Sequence, residues 1–132
     1  MASIRTYGDV IHTFINRDNY KGAFLPGFVS REASDPINEL FPPMNLLKID
    51  HFAGNLPVGD LVPTGEWYSK MLDWHRFWTV DDDNLDTELT SMNTFAMSDW
   101  HEVVKMAIGE PAPGRRKSHI EEYVAYNHGA GV

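Results

Sequence analysis

Few residues in this chain could carry chemistry, and most of them are histidines. There are six histidines and no cysteine. His51 stands apart through its setting, Leu-Leu-Lys-Ile-Asp-His-Phe-Ala-Gly-Asn over residues 46–55. That stretch reads as a strand. A two-residue period puts Leu47, Ile49, His51 and Ala53 on one face and Lys48, Asp50 and Phe52 on the other. An imidazole aimed into an apolar concavity needs partners for its ring nitrogens. A backbone carbonyl or a metal ion would serve.

The other five histidines offer less. His12 sits on an alternating run, His75 on a strand beside Arg76 and His101 on a turn, while His119 and His128 bracket a helix. None has the H-E-x-x-H spacing of a zinc helix. No nucleophile elbow, phosphate loop or dinucleotide fingerprint occurs. Asp81, Asp82 and Asp83 lack the alternating spacing and distal glutamate of a calcium loop, and read as a solvated turn. Without cysteine there is no disulfide framework, zinc knuckle or thiol nucleophile, and a cytoplasmic setting is expected.

Net charge is −8, from 11 basic and 19 acidic residues. Nucleic acid and anionic membranes are therefore not expected partners, because both need a basic surface. Arg115, Arg116 and Lys117 form the one basic cluster. A hydrophobic fraction of 42% with 12% aromatics indicates a folded domain rather than a disordered tail. No stretch approaches the ~18 consecutive apolar residues of a spanning helix, and the first residues lack the apolar run of a signal peptide.

The elements that would position His51 follow from pattern. Residues 3–7 and 10–17 are extended runs about a turn at Gly8 and Asp9. Residues 18–43, rich in proline, read as an ordered linker whose Phe24, Leu25, Phe28, Leu40 and Phe41 pack on a neighbour. After residues 46–55, Asp60 is the expected N-cap of a helix reaching about Leu72, with Thr64, Trp67, Met71 and Leu72 inward. Strands follow over 74–80, 86–97 and 102–108, with a hairpin at 81–84 and a loop at 110–114. Ser118 and Glu121 form a capping box for a helix over 120–127, which Gly129 stops. The sum is a βαβββ module of α+β class.

Several motifs together resemble the 4-hydroxyphenylpyruvate dioxygenase family. They are Ile49-Asp50-His51 with Gly54-Asn55, Glu66-Trp67-Tyr68, His75-Arg76-Phe77-Trp78 with Val80-Asp81-Asp82, Thr87-Glu88, Lys105-Met106, Glu110-Pro111-Ala112, Lys117-Ser118, and Asn127 with the closing Gly129-Ala130-Gly131-Val132. Thr6-Tyr7-Gly8-Asp9, His12-Thr13 and Phe24-Leu25-Pro26-Gly27 match the preceding segment. The resemblance implies a vicinal-oxygen-chelate fold. It also implies non-haem Fe(II) held by two histidines and a glutamate, with open positions for substrate and O2, His51 being the first ligand. The implied reaction takes 4-hydroxyphenylpyruvate, a 2-oxo acid, and O2 to homogentisate and CO2 in tyrosine catabolism, in a homo-oligomer.

The resemblance further implies that the second histidine follows directly on residues 129–132 and the glutamate later still. The chain is thus expected to hold one ligand of three and to be inactive alone. It would comprise the end of an N-terminal-half sheet (1–17), a linker (18–45) and an incomplete catalytic module (46–132). The implied substrate-facing positions fall on Thr94, Gly109 and His119, where the family carries serine, asparagine and glutamine. Losing the asparagine amide at Gly109 weakens polar discrimination and points to a divergent paralogue that uses another 2-oxo acid, or no substrate. Two alternatives stay open: a free-standing module that dimerises to complete a metal site, which needs a second inward ligand where residues 102–108 offer only Glu102 and Lys105, and a non-catalytic paralogue acting as an interaction domain.

Overall fold

A computed structural model describes residues 1–42, 44–80 and 89–132. The expected hairpin at 81–84 and the start of the strand expected from Asp86 lie outside the described residues. The chain divides into two compact units, one of Met1–Ala2 with Phe14–Ile49 and one of Ser3–Thr13 with Asp50–Val132.

At the N-terminus, β1 (Ala2–Arg5) and β2 (Ile11–Phe14) form a two-stranded sheet. Its turn is closed by Thr6 N–H donating to the Val10 carbonyl and Val10 N–H donating to the Tyr7 carbonyl, both at 3.0 Å. Gly8 adopts φ +53°, and a Cβ there would lie 2.5 Å from the Ala130 carbonyl oxygen, so only glycine suits this turn. Within residues 14–49, the one helix described is α1 (Pro36–Leu40), which Asp35 caps by accepting from Ile37 N–H at 3.1 Å. A linker whose apolar residues pack on a neighbour was expected here. Instead Phe24, Phe28, Leu40 and Phe41 are exposed, and Phe24 and Phe28 meet only edge to face. One turn of helix buries none of its own residues, so this stretch has no layer of its own to hide them in.

The second unit holds β3 (Phe52–Asn55), α2 (Leu61–Leu72), β4 (His75–Val80), β5 (Ser91–Ser98), β6 (Lys105–Ala112) and α3 (His119–Asn127). The sheet order is β3-β6-β5-β4. β3 runs parallel to β6, while β5 is antiparallel to both β6 and β4. This is the βαβββ module expected from the sequence, with α2 as its crossover. The core lies between α2 and one sheet face: Leu61 and Tyr68 meet Phe95, Met97, Met106 and Ile108, with Leu56 and Ala130 closing the ends.

Helix α2 turns Thr64, Trp67 and Leu72 towards the core as expected, but its inner stripe is centred on Tyr68 and leaves out Met71. Leu61, Thr64, Gly65 and Tyr68 are buried, whereas Met71 is exposed. The cause is Gly65. A Cβ there would lie 2.5 Å from Cζ of Phe95, so its absence lets the helix approach the sheet and rotates Tyr68, not Met71, into the centre. Asp60 occupies the N-cap without a side-chain bond. The Glu110 carboxylate caps instead, accepting from Gly59 N–H at 2.7 Å and Leu61 N–H at 3.1 Å. That places residues 110–112 in β6 rather than in the expected loop. Pro111 is tolerated because β3 pairs β6 only as far as Gly109, leaving that edge without a donor to satisfy. Helix α3 begins as expected, the Ser118 hydroxyl accepting from Glu121 N–H at 3.2 Å. It ends at His128, in the left-handed region at φ 57°.

The β1–β2 hairpin is fastened to this core by two side chains. Tyr7 packs against it, with its hydroxyl over Gly54, where a Cβ would clash. Nε2 of His12 lies 2.7 Å from the hydroxyl of Tyr68. Burial lowers the His12 pKa from 6.5, so the docked hairpin favours the neutral imidazole. Its contribution to stability is complete above 6.5 and is lost as pH falls below that value. Between about pH 8 and about pH 5, wild type should lose more thermal stability than His12→Gln; parallel melting curves would refute this. Gly65→Ala should destabilise by about 1–3 kcal/mol in urea unfolding despite alanine's better helix propensity, and Phe95→Leu in the same chain should recover part of the loss.

Candidate metal and substrate face

Register fixes which side of the sheet each candidate occupies. Phe52 lies beside Met106 and Gly54 beside Ile108, and both β6 residues belong to the core under α2. Ala53 pairs with Ala107 and Asn55 with Gly109, which in turn pairs with Thr94. These residues face away from α2. His51 comes immediately before the first pair of β3, outside the ladder. Four residues separate it from Asn55, so about 13 Å of extended chain lies between His51 and the Asn55–Gly109–Thr94 row.

The approach to His51 is not the strand expected from residues 46–55. Only Phe52–Asn55 is strand, and Leu47 and Ile49 are 95% and 71% exposed. The ladder with β6 ends at Phe52 beside Met106, one residue inside the start of β6 at Lys105, and β6 itself follows a turn in which Glu102 takes φ 54°. Residues 46–51 consequently have no ladder there, and a run without a ladder cannot present one face. Glu102 itself lies in the turn, outside the strand where it was expected.

His51 has an exposed side chain, at 55%, and its Nδ1 is 2.7 Å from Oδ2 of Asp50. A carboxylate only accepts hydrogen bonds, so Nδ1 carries a proton, and in the neutral ring it is Nε2 that has the lone pair. This tautomer suits a metal ligand: carboxylates that hold the remote nitrogen of a ligating histidine fix its orientation and raise its basicity. Asp50 was expected on the opposite face of the strand; without a ladder at that point, its side chain reaches its neighbour's ring. Among the described residues no group of three His, Cys, Asp or Glu side chains converges as a metal site. Among the described residues, His51 with its Asp50 partner fits the chemistry of one donor of an iron site.

The structure brings Thr94 and Gly109 together and separates them from His119. The Thr94 hydroxyl donates to the Ile108 carbonyl at 2.8 Å, which leaves its lone pairs to accept. A Cβ on Gly109 would stand 3.0 Å from Cδ1 of Ile120 and 3.4 Å from Cβ of Thr94. Ile120 therefore fills the room beside Gly109. His119, one residue earlier, is exposed at the first position of α3. Ile120 was not among the sequence candidates. Its position two residues after the N-cap Ser118 was the signal available, because the first buried residue of a capped helix rests on the adjacent sheet. A groove of about 560 Å³ lies elsewhere, lined by Val58, Arg115, Arg116, Lys117 and Glu121 among others.

No protein-family model matches the chain. Curated relatives do. The chain is 46% identical over 132 residues to 4-hydroxyphenylpyruvate dioxygenase of Tetrahymena thermophila, covering all of this chain and 33% of that protein. It is 48% identical over 126 residues to the enzyme of that name from Dictyostelium discoideum, covering 96% and 34%. Against the one from Danio rerio the figures are 43% over 132 residues, covering 99% and 33%. The chain thus spans about a third of the length of the curated relatives it matches. A solved mutant of 4-hydroxymandelate synthase from Streptomyces coelicolor superposes with a TM-score of 0.54 at 22% identity, over 63% of this chain and 23% of that one. That likeness bears on the fold alone, and it agrees with a vicinal-oxygen-chelate βαβββ unit. From end to end, the chain belongs to the 4-hydroxyphenylpyruvate dioxygenase family, corresponding to a third of its members' length.

Proposed function

We propose that this chain contributes one iron ligand and part of the substrate wall to a non-haem Fe(II) dioxygenase that converts 4-hydroxyphenylpyruvate and O2 to homogentisate and CO2. The observation that carries this reading is the match along the whole chain to relatives of that name. The Asp50 contact of His51 supports it, since Nδ1 on the carboxylate leaves Nε2 as the ring nitrogen a metal would take.

In this reading Nε2 of His51 is one ligand, and the other ligands come from residues outside these 132. When bound, Fe(II) supplies Lewis acidity and the redox chemistry of O2. The protein side of the work falls to named groups. Asp50 holds the proton on Nδ1 and so fixes the ring. Thr94, its own proton engaged by Ile108, accepts a hydrogen bond from a substrate hydroxyl. Gly109 and Ile120 give an apolar floor where an amide would otherwise stand. His119, on the rim, meets only a part of the substrate that reaches solvent.

We place the complete protein in the cytoplasm as a homo-oligomer. Among the described residues no helix is long and apolar enough to cross a membrane. A second reading, that the parent takes a different 2-oxo acid, is favoured by Ile120 occupying the room beside Gly109.

In the full-length protein His51→Ala should abolish iron retention measured by metal analysis, and Asp50→Asn should weaken it by roughly 10–100-fold. Unchanged iron content in His51→Ala would end the ligand assignment. Thr94→Val should lower kcat/KM for 4-hydroxyphenylpyruvate by roughly tenfold, about the worth of one hydrogen bond, while Thr94→Ser keeps it. Equal loss in both variants would show that Thr94 acts by shape alone. Robust turnover of a 2-oxo acid without the 4-hydroxyl, with none of 4-hydroxyphenylpyruvate, would favour the second reading.

A further inference from the structure

The dioxygenase reading leaves one arrangement unused, on the other side of the sheet. Tyr68 is fully buried, and its hydroxyl lies 2.7 Å from Nε2 of His12 and 3.1 Å from Sδ of Met106. The Trp67 ring stands edge-on to it at 5.1 Å, and the Trp74 ring stacks on it at 5.2 Å and 17°. We propose that Tyr68 is a redox site, which gives one electron to a strong oxidant while its phenolic proton passes to His12.

The chemistry sets three requirements. First, an oxidised phenol is a very strong acid, so a buried tyrosine loses an electron readily only where a base takes the proton at hydrogen-bond distance. Nε2 of His12 is that base, and a thioether sulfur is too weak an acceptor to compete. Second, the base must be neutral beforehand. Burial lowers the His12 pKa, and the Tyr68 pKa is pushed up to about 12, so at neutral pH the pair stands as phenol and imidazole. Third, charge must reach a residue that solvent cannot touch. Trp67 and Trp74 are partly buried and touch the core, so each spans from the Tyr68 ring towards the surface within one short electron step.

The step balances. The Tyr68 O–H bond breaks, an N–H bond forms on Nε2 of His12, and one electron passes to the oxidant, leaving a neutral tyrosyl radical beside an imidazolium. A one-electron reductant of the ascorbate or thiol class reverses it. The oxidant is a high-potential one-electron metal species. Oxygen-activating metal centres yield such oxidants when turnover fails, and only this choice of physiological source rests on the dioxygenase reading.

The test needs no iron. Metal-free full-length protein is exposed to tris(bipyridyl)ruthenium(III) generated by flash and quench, and the products are followed by transient absorption and electron paramagnetic resonance. We expect a neutral tyrosyl radical that is absent in Tyr68→Phe and forms more slowly in deuterated water. In His12→Phe its yield should fall roughly tenfold, with the charge left on tryptophan. A tyrosyl signal of unchanged yield in Tyr68→Phe, or of unchanged yield and rate in His12→Phe, would overturn the proposal. Should His12→Phe not fold, Tyr68→Phe and the solvent isotope effect decide: equal rates in the two waters overturn it. Because the readout is metal-free, failure of iron binding at His51 would leave this site standing, and the reverse holds too.

Discussion

The four-residue parallel pairing of β3 with β6 decides where everything of chemical interest lies. It begins at Phe52 beside Met106 and ends at Asn55 beside Gly109. Its lower limit lies one residue inside β6, shortly past the turn at Glu102. Its upper limit is the point where β6 turns to other duties: Glu110 to capping α2, and Pro111 to an edge that lacks a donor. Within those limits the pleat sends Met106 and Ile108 into the core and Ala53, Ala107 and Gly109 to the other face. His51 stands immediately before the first pair. Outside the ladder, its ring is reached by the Asp50 carboxylate.

One sheet thus serves two faces with different physics. Towards α2 the residues are large and closely packed, and Gly65 lets the helix settle on Phe95. Away from α2, Ala53, Ala96, Ala107 and Gly109 are small, with Asn55 and Thr94 as polar neighbours of Gly109 and Trp78 beside Ala96. Small side chains on that face leave room for a ligand without unpairing the sheet. The helical residue that reaches it is Ile120, beside Gly109. The polar residues of the opposite side, His12 and Tyr68, satisfy each other inside the core, so the N-terminal hairpin and α2 stand or fall together.

Much of this was legible in sequence where the signals are local. The bounds of α2, the Ser118 cap of α3 and the order βαβββ follow from spacing and end signals within a few residues. What escaped reading depends on partners far along the chain. The ladder of β3 could not be bounded from residues 46–55, because its length is set by the turn around Glu102. Glu110 looked like loop because its proline is forbidden only in a strand paired on both sides. Tyr68 rather than Met71 became central through Gly65 meeting Phe95, far along the chain. The pairing of His12 with Tyr68, 56 residues apart, has no local signature at all. Thr94 and Gly109, in contrast, came from resemblance, and the register brings them side by side.

All of the proposed iron chemistry hangs on the His51 imidazole, with Nδ1 held by Asp50, offering Nε2 to the metal. The decisive measurement is an anomalous difference map at the iron edge, from crystals of the full-length protein grown with Fe(II) under exclusion of O2. We expect a peak within bonding distance of Nε2 of His51, with Asp50 still on Nδ1. A peak bound through Nδ1, or iron held with His51 turned away from it, would refute the assignment.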